Sequence, residues 1–275
     1  MGIVNITHDS FSGDGTLDPT QALRHAREMI SSGADLIDVG GESARTNREA
    51  IAPEVEIDRV RPFIENFASC WKDVVPRDAE QIFPPLLSLN TWRPKVVEAL
   101  LPSGVDLLND MGGLPTPENA ELCAAHRTAL LIMHTQGAPK QAMTHVIYQD
   151  IGKELVHFFQ QKILMAEVAG LARQHIVLDP GLDFAKQRDD NLAILANLDQ
   201  WLRPFQMPIL LPVSRKTVIG EVLHVTDPAM RDAGTVALVA LALRSRVSIV
   251  RVHHVNAAWL ALKTLSAVAM FEAGR

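Results

Sequence analysis

The chain has only two cysteines, Cys70 and Cys123, and they lie far apart. That excludes a disulfide framework and a cysteine zinc site and points to a reducing compartment, so the expected location is the cytoplasm. No stretch of about 18 uncharged apolar residues occurs, which argues against a membrane span. Nor does a basic region precede an apolar stretch at the N-terminus, so no signal peptide is expected. The formal charge is -6, and a mildly acidic chain is a poor partner for a phosphate backbone, so nucleic acid is not expected. Also missing are H-E-x-x-H, a nucleophile elbow, a dinucleotide glycine fingerprint, a Walker loop and any low-complexity tract.

What is present is an apolar content of 47% over 275 residues, enough for one large core, and the expectation is a single domain over residues 1–275. Eight short apolar runs each end in polar or charged residues. They are Gly2 to Thr7, Asp35 to Gly41, Leu86 to Thr91, Val105 to Met111, Ala129 to Thr135, His175 to Gly181, Pro208 to Ser214 and Ser248 to His254. Between and after them lie segments with helical spacing: Asp18 to Ser32, Pro53 to Trp71, Pro94 to Leu101, Pro117 to His126, Ile151 to Ala169, Asn191 to Leu202, Pro228 to Arg244 and Ala257 to Ala273. Several open with proline in the first turn. Continuous apolar runs suit strands buried on both faces, and eight strand–helix units is the number that closes a (β/α)8 TIM barrel. Lys72 to Pro85 and Gly137 to Gln149 interrupt the pattern and read as mobile loops.

In such barrels the reacting residues stand at the C-terminal strand ends, and phosphate often sits at the loops after strands seven and eight. Cations occupy both places: Ser214, Arg215 and Lys216 end strand seven, and Arg251 and His253 share a face of strand eight. A phosphate or pyrophosphate is the expected ligand, with Arg251 as a planar clamp and Lys216 as a point charge. Asn90, Asn109 and Asp179 end strands three, four and six inside a ring of aliphatic residues. They bond to one another, or to a ligand with matching donors. Asp179 with Pro180 and Gly181 could equally form a bare turn, or the carboxylate could take two hydrogen bonds from an aminopyrimidinone ring. The stretch from His8 to Gly15 reads as a surface loop or a lid. His134 is given no chemistry, and His253 and His254, on opposite strand faces, cannot share one ligand.

Taken in order, Met1-Gly2-Ile3-Val4-Asn5-Ile6-Thr7, Asp9-Ser10-Phe11-Ser12, Ile37-Asp38-Val39-Gly40-Gly41-Glu42-Ser43, Asn109-Asp110, Met133-His134, Leu178-Asp179-Pro180-Gly181, Ser214-Arg215-Lys216 and Arg251-Val252-His253 resemble the dihydropteroate synthase family. The resemblance covers essentially the whole chain, without the short segment that many members carry before the first strand. It implies a pterin-binding (β/α)8 barrel, usually a homodimer, that joins 6-hydroxymethyl-7,8-dihydropterin pyrophosphate to 4-aminobenzoate and releases pyrophosphate. By motif position it assigns the pterin to Asn90, Asn109, Met133, Asp179, Phe184 and Lys216. Pyrophosphate falls to Asn5, Arg251 and His253, and Mg²⁺ to Asn5. The aminobenzoate is bordered by Arg45, Phe184, Ser214 and Lys216. Asp9, Asn90, Lys216 and Arg251 are the implied catalytic group, with the loops around Asp9 and Arg45 closing over the reactants.

The chain departs from the family at several positions. Asn90 stands where Asp is usual, and a neutral amide cannot balance a developing positive charge. Pro212 replaces a glycine, Asp183 and Ala185 replace glycines around Phe184, and Ala44, Thr46 and Asn47 alter the second loop. His8, Gly13-Asp14 and His254 also differ. The pyrophosphate end is better kept than the acceptor end, so an arylamine other than 4-aminobenzoate, of the methanopterin type, is one alternative. A non-catalytic pterin-binding paralogue is another, and a pterin-dependent methyltransferase on the same barrel is a third.

Overall fold

The computed structural model describes residues 1–7, 15–43, 49–141, 143, 146–245 and 247–273. Eight short parallel strands alternate with helices. The strands are β1 (Gly2–Asn5), β2 (Leu36–Gly40), β3 (Leu86–Asn90), β4 (Leu107–Asp110), β5 (Ala129–Met133), β6 (Ile176–Asp179), β7 (Leu210–Leu211) and β8 (Ile249–Val250). The first six form one sheet in chain order, and β7 pairs with β8. Single bridges join the two pieces on either side, Leu178 to Ile209 and Gly2 to Val252. The architecture is the expected TIM-type barrel, its last two strands attached by isolated bridges instead of continuous ladders.

The helices are α1 (Pro19–Ser31), α2 (Pro53–Asn66), α3 (Pro94–Leu100), α4 (Glu118–His126), α5 (Ile151–Val168), α6 (Arg188–Leu202), α7 (Thr217–Leu223), α8 (Asp232–Arg244) and α9 (Val255–Ala273). Local chemistry sets their starts. Asp18 and Asp150 accept from the Thr20 and Lys153 amides, and Pro19, Pro53 and Pro94 occupy first-turn positions whose N–H would be unpaired anyway. Helix α6 starts three residues before the expected Asn191, because Gln187 and Asp190 form a reciprocal capping box. The short α7 was not expected at all.

Apolar packing divides into two layers. Ala22, Ala26, Ile30, Phe63, Leu89, Leu108, Ile132 and Phe159 belong to the large core shared by helices and strands. A smaller cluster of Met1, Leu36, Leu107, Leu131, Met133, Val177 and Leu210 packs separately. Strand register then places the polar ends. Asn5 lies beside Gly40, Gly40 beside Asn90, and Asn90 beside Asn109, in one lateral row. Gly40 matters there because an added Cβ would lie 3.3 Å from the Asn90 Cβ.

The segment from Lys72 to Pro85 departs from the expected mobile loop. Gln81, buried, donates to the carbonyls of Ile30 and Ala34 at 2.9 and 3.0 Å. Arg77 donates to Ser32 O and to Asn256 at 2.7 Å each and lies 3.7 Å over the Trp259 ring. Asp35 accepts from the Ile82 amide. Hydrogen bonds anchor this connection along its length. Among the described residues no helix is long and apolar enough to cross a membrane.

Candidate active site

A cavity of about 600 Å³ opens at the C-terminal strand ends. Asn5, Asn90, Asn109, Met133, Asp179, Phe184, Ser214, Lys216, Arg251 and His253 all line it, although they come from seven strands and the loops that follow. Asp9 and Arg45 lie outside the described residues, as do the altered positions 44, 46 and 47.

A residue given no role above organises the floor. Asp38, in the middle of β2, is fully buried. Its Oδ1 accepts from Ser88 Oγ at 2.5 Å. Its Oδ2 accepts from the Asn90 and Asn109 side-chain amides, each at 3.1 Å. The same oxygen receives Arg251 Nε and Nη2 at 2.8 and 2.7 Å. A buried carboxylate survives only when so satisfied, and here the ion pair and both amides share it. Of the sequence-based alternatives for Asn90 and Asn109, neither bonds the other; each spends its NH₂ on Asp38. Each Oδ1 is thereby left as the amide's acceptor for a ligand. An acidic residue inside the otherwise apolar Leu36-Ile37-Asp38-Val39 was the available signal, because a charge within a strand buried on both faces needs partners.

Asp179 forms the turn that its sequence allows and also faces the cavity. Oδ1 accepts from the Gly181 amide at 2.7 Å, closing a turn with Gly181 at φ 67°, and the residue still lines the cavity. Burial raises its pKa to about 6, against the pull of the Gly181 amide and of Lys216, Lys186 and Arg251. Lys216 donates to Leu182 O at 2.7 Å and lies 5.0 Å over the Phe184 ring. Burial lowers its pKa, opposed by Asp183 and Asp179. Lys186 is buried beneath the same loop and donates to the carbonyls of Gly181, Phe184 and His134 at 2.9, 3.0 and 3.2 Å. Burial brings its pKa down to about 7. Asp183 and Ala185, where glycines are usual, keep left-handed backbone at φ 69° and 50°.

On the opposite wall, Arg93 pairs with Glu42 and Glu56, and Lys140 reaches Glu42 at 3.4 Å and Ser43 O at 2.9 Å. Burial raises the Glu56 pKa. These contacts join the connections after β2, β3 and β5. The last of these, expected to be mobile, contributes Ala138, Pro139, Lys140 and Gln141 to the cavity wall, and Tyr148 donates to Ala185 O at 2.9 Å.

The cluster on strand seven divides. Arg215 turns away from the cavity into a two-point pair with Asp232 at 2.8 and 3.0 Å. Ser214 holds His253, with Oγ 2.7 Å from Nδ1 and accepting the His253 amide at 3.1 Å. His254 is exposed. His134 is fully buried against Phe158, with no hydrogen-bond partner for either ring nitrogen, and burial takes its pKa down to about 2.

A floor of oxygen acceptors beside a cationic rim suits a ligand with a donor-rich heterocycle and an anionic tail. The sequence matches the family model for pterin binding enzymes over residues 1–253. It is 37% identical to a dihydropteroate synthase of Neisseria meningitidis, covering 98% of this chain and 92% of that protein. Against the Bacillus subtilis dihydropteroate synthase the identity is 35%, over 93% and 83%. The fold superposes on Yersinia pestis dihydropteroate synthase in a sulfonamide complex with a TM-score of 0.87, at 35% identity over 98% and 93% of the two chains. It superposes on the Xanthomonas albilineans enzyme in complex with 7,8-dihydropteroate with a TM-score of 0.81, at 34% identity over 98% and 92%. The chain therefore belongs to the dihydropteroate synthase family of pterin-binding enzymes.

Proposed function

We propose that the chain, as one barrel domain over residues 1–275, condenses 6-hydroxymethyl-7,8-dihydropterin pyrophosphate with an arylamine of the 4-aminobenzoate type, giving a dihydropteroate and pyrophosphate in folate biosynthesis. The observation that carries this is the single cavity in which Asn109, Asp179 and Arg251 meet. Asn90 Oδ1, Asn109 Oδ1 and the second Asp179 oxygen accept from the N–H edge of the pterin, with Met133 and Phe184 against its faces. Arg251 and His253 hold the pyrophosphate, His253 being set by Ser214. The C–O bond to pyrophosphate breaks and the electron pair leaves with the phosphate oxygen. The exocyclic methylene then bonds to the arylamine nitrogen, which gives up a proton. The ring delocalises the positive charge that develops, so catalysis is chiefly charge placement. The acceptor enters past Phe184, Ser214 and Lys216, and the family resemblance adds Arg45 and Asp9 to the residues that serve it.

The residues fit the Mg²⁺ that the resemblance implies. Among the described residues no group of three or more His, Cys, Asp or Glu forms a cage. Mg²⁺ commonly takes few protein ligands beside substrate phosphates, and Asn5 lines the cavity at the end of β1. When bound there with the pyrophosphate, the ion supplies positive charge to the leaving group. Leu260, Val268, Met270 and Phe271 are exposed on α9, and we read this apolar face as the contact of a homodimer. The free, buried Cys70 and Cys123 support a reducing, cytoplasmic setting.

Mixing the pterin pyrophosphate with 4-aminobenzoate and Mg²⁺ tests the reading. Release of one pyrophosphate per dihydropteroate is expected. Tight binding of the pterin pyrophosphate with no release, unrescued by Asn90→Asp, would instead indicate a binding protein.

A further inference from the structure

One buried charge beside the cavity has no part in the chemistry above. Lys186 donates to the carbonyls of His134, Gly181 and Phe184 at 3.2, 2.9 and 3.0 Å. Three acceptors take three N–H groups, and only the charged amine has three. Two of these partners also hold Asp179. The Gly181 amide donates to Asp179 Oδ1 at 2.7 Å, and the His134 amide donates to Asp179 O at 2.8 Å. Gly181 and His134 thus each turn an N–H to Asp179 and a carbonyl to Lys186. Only glycine fits at 181, because an added Cβ would lie 2.0 Å from His134 O and 3.3 Å from Lys186 Nζ.

The third partner carries a strained loop. Asp183 and Ala185, on either side of Phe184, stand at φ 69° and 50°, backbone that a residue other than glycine keeps only where its surroundings hold it. Lys186 holds the Phe184 carbonyl, and Tyr148 holds that of Ala185 at 2.9 Å. Asp179 and Phe184 line the cavity, with Lys186 buried behind them. Asp179, Asp183 and Asp190 favour its charge and Lys216 opposes it, while burial keeps His134 and Tyr148 neutral. Glu154 lies beyond the His134 ring, at 4.0 Å. We propose that Lys186 is a positioning residue: its ammonium, caged by the three carbonyls, sets Phe184 against the reactants and supplies, from behind, part of the positive charge that keeps Asp179 ionised for the pterin. The role rests on the reaction proposed above and deepens it.

The charge is read where Asp179 titrates. Asp179 stands near 6 and Lys186 near 7, so the native ammonium is charged while Asp179 takes up its proton. At about pH 8 Asp179 is ionised with or without it. Lys186→Gln removes the charge and keeps two N–H groups for the cage. Relative to the native enzyme, its kcat/KM for the pterin pyrophosphate should fall on the order of tenfold more at about pH 5.5 than at about pH 8, with thermal melting showing the variant folded at both. A loss no larger at the lower pH, or no loss at either, would overturn the proposal. Should Lys186→Gln not fold, Lys186→Met, unbranched and apolar, carries the same comparison. Lys186→Met also frees the Phe184 carbonyl, so its KM for 4-aminobenzoate at about pH 8 should rise on the order of tenfold; an unchanged value would overturn the hold on Phe184. Native enzyme that releases no pyrophosphate at all would overturn the reaction itself, an outcome distinct from equal losses at the two pH values.

Discussion

The two ends of the barrel use polar groups for different purposes. At the end where the 72–85 connection enters β3, Gln81 and Arg77 satisfy main-chain carbonyls of the turn after α1, and Arg77 stacks on Trp259. Each donor there has a resident partner, and the arrangement holds strands and helices together. At the other end Asp38, Asn90, Asn109 and Arg251 also satisfy one another, yet each Asn side chain keeps an acceptor for something not in the chain. The difference is that one end closes its hydrogen-bond account and the other leaves acceptors directed by a buried charge.

Substitution at the floor should have the largest effect. Asp38→Asn removes the carboxylate that holds Arg251 and both amides. Turnover per unit KM for the pterin pyrophosphate should fall on the order of 10²-fold to 10³-fold. Breaking a buried pair costs about 3–5 kcal/mol, and chemical denaturation should show a loss of that size. An unchanged kcat/KM would remove Asp38 from the account.

A smaller, signed effect follows from Asp179. Its pKa stands near 6, above the ordinary value of about 3.9. Between those two values the native carboxyl keeps a proton that the unfolded chain has released. Its contribution to stability is therefore present below the lower value and is lost as pH rises through the upper one. Activity should run oppositely, because in the proposed complex the ionised form is the one that accepts from the pterin N–H edge. The expected kcat/KM falls about tenfold per pH unit below 6, and Asp179→Asn should flatten that limb. Stability and activity moving together through this window would contradict the assignment.

At the anchored end the effects should be on stability alone. Gln81→Leu leaves the Ala34 carbonyl without its Gln81 donor and removes one of the donors to Ile30 O, which should cost about 1–3 kcal/mol in denaturant unfolding while kcat/KM stays within twofold. Coupled loss of activity would mean that the two ends are not separable. The smallest effect is expected for Lys263→Ala. Its pairs with Asp78 and Glu80 lie at the surface, where ion pairs are worth little, and no measurable change in Tm is expected.

Much of this was legible in the residues. Each observed strand lies within one of the eight apolar runs, because parallel strands buried on both faces must be apolar, and the polar residue ending each run is what reaches the cavity. Asp38 was overlooked because attention to run ends passes over a charge in mid-strand. Helix α7 was missed because Thr217-Val218-Ile219-Gly220 lacks a cap and contains glycine, and the cap comes instead from Asp183, distant in sequence. The 72–85 segment looked mobile because its polar side chains find their partners in α1, the turn after it and α9, contacts that no local pattern reveals. Arg215 resembled a phosphate ligand until its partner Asp232 on α8 was in view.

The most direct measurement is a crystal structure of the protein with 6-hydroxymethyl-7,8-dihydropterin pyrophosphate. The account predicts ring nitrogens within hydrogen-bond reach of Asn90 Oδ1, Asn109 Oδ1 and Asp179, and the pyrophosphate on Arg251 and His253, with Asp38 still bonded to both amides. A pterin bound away from Asp179, or a pyrophosphate that leaves Arg251 untouched, would contradict it.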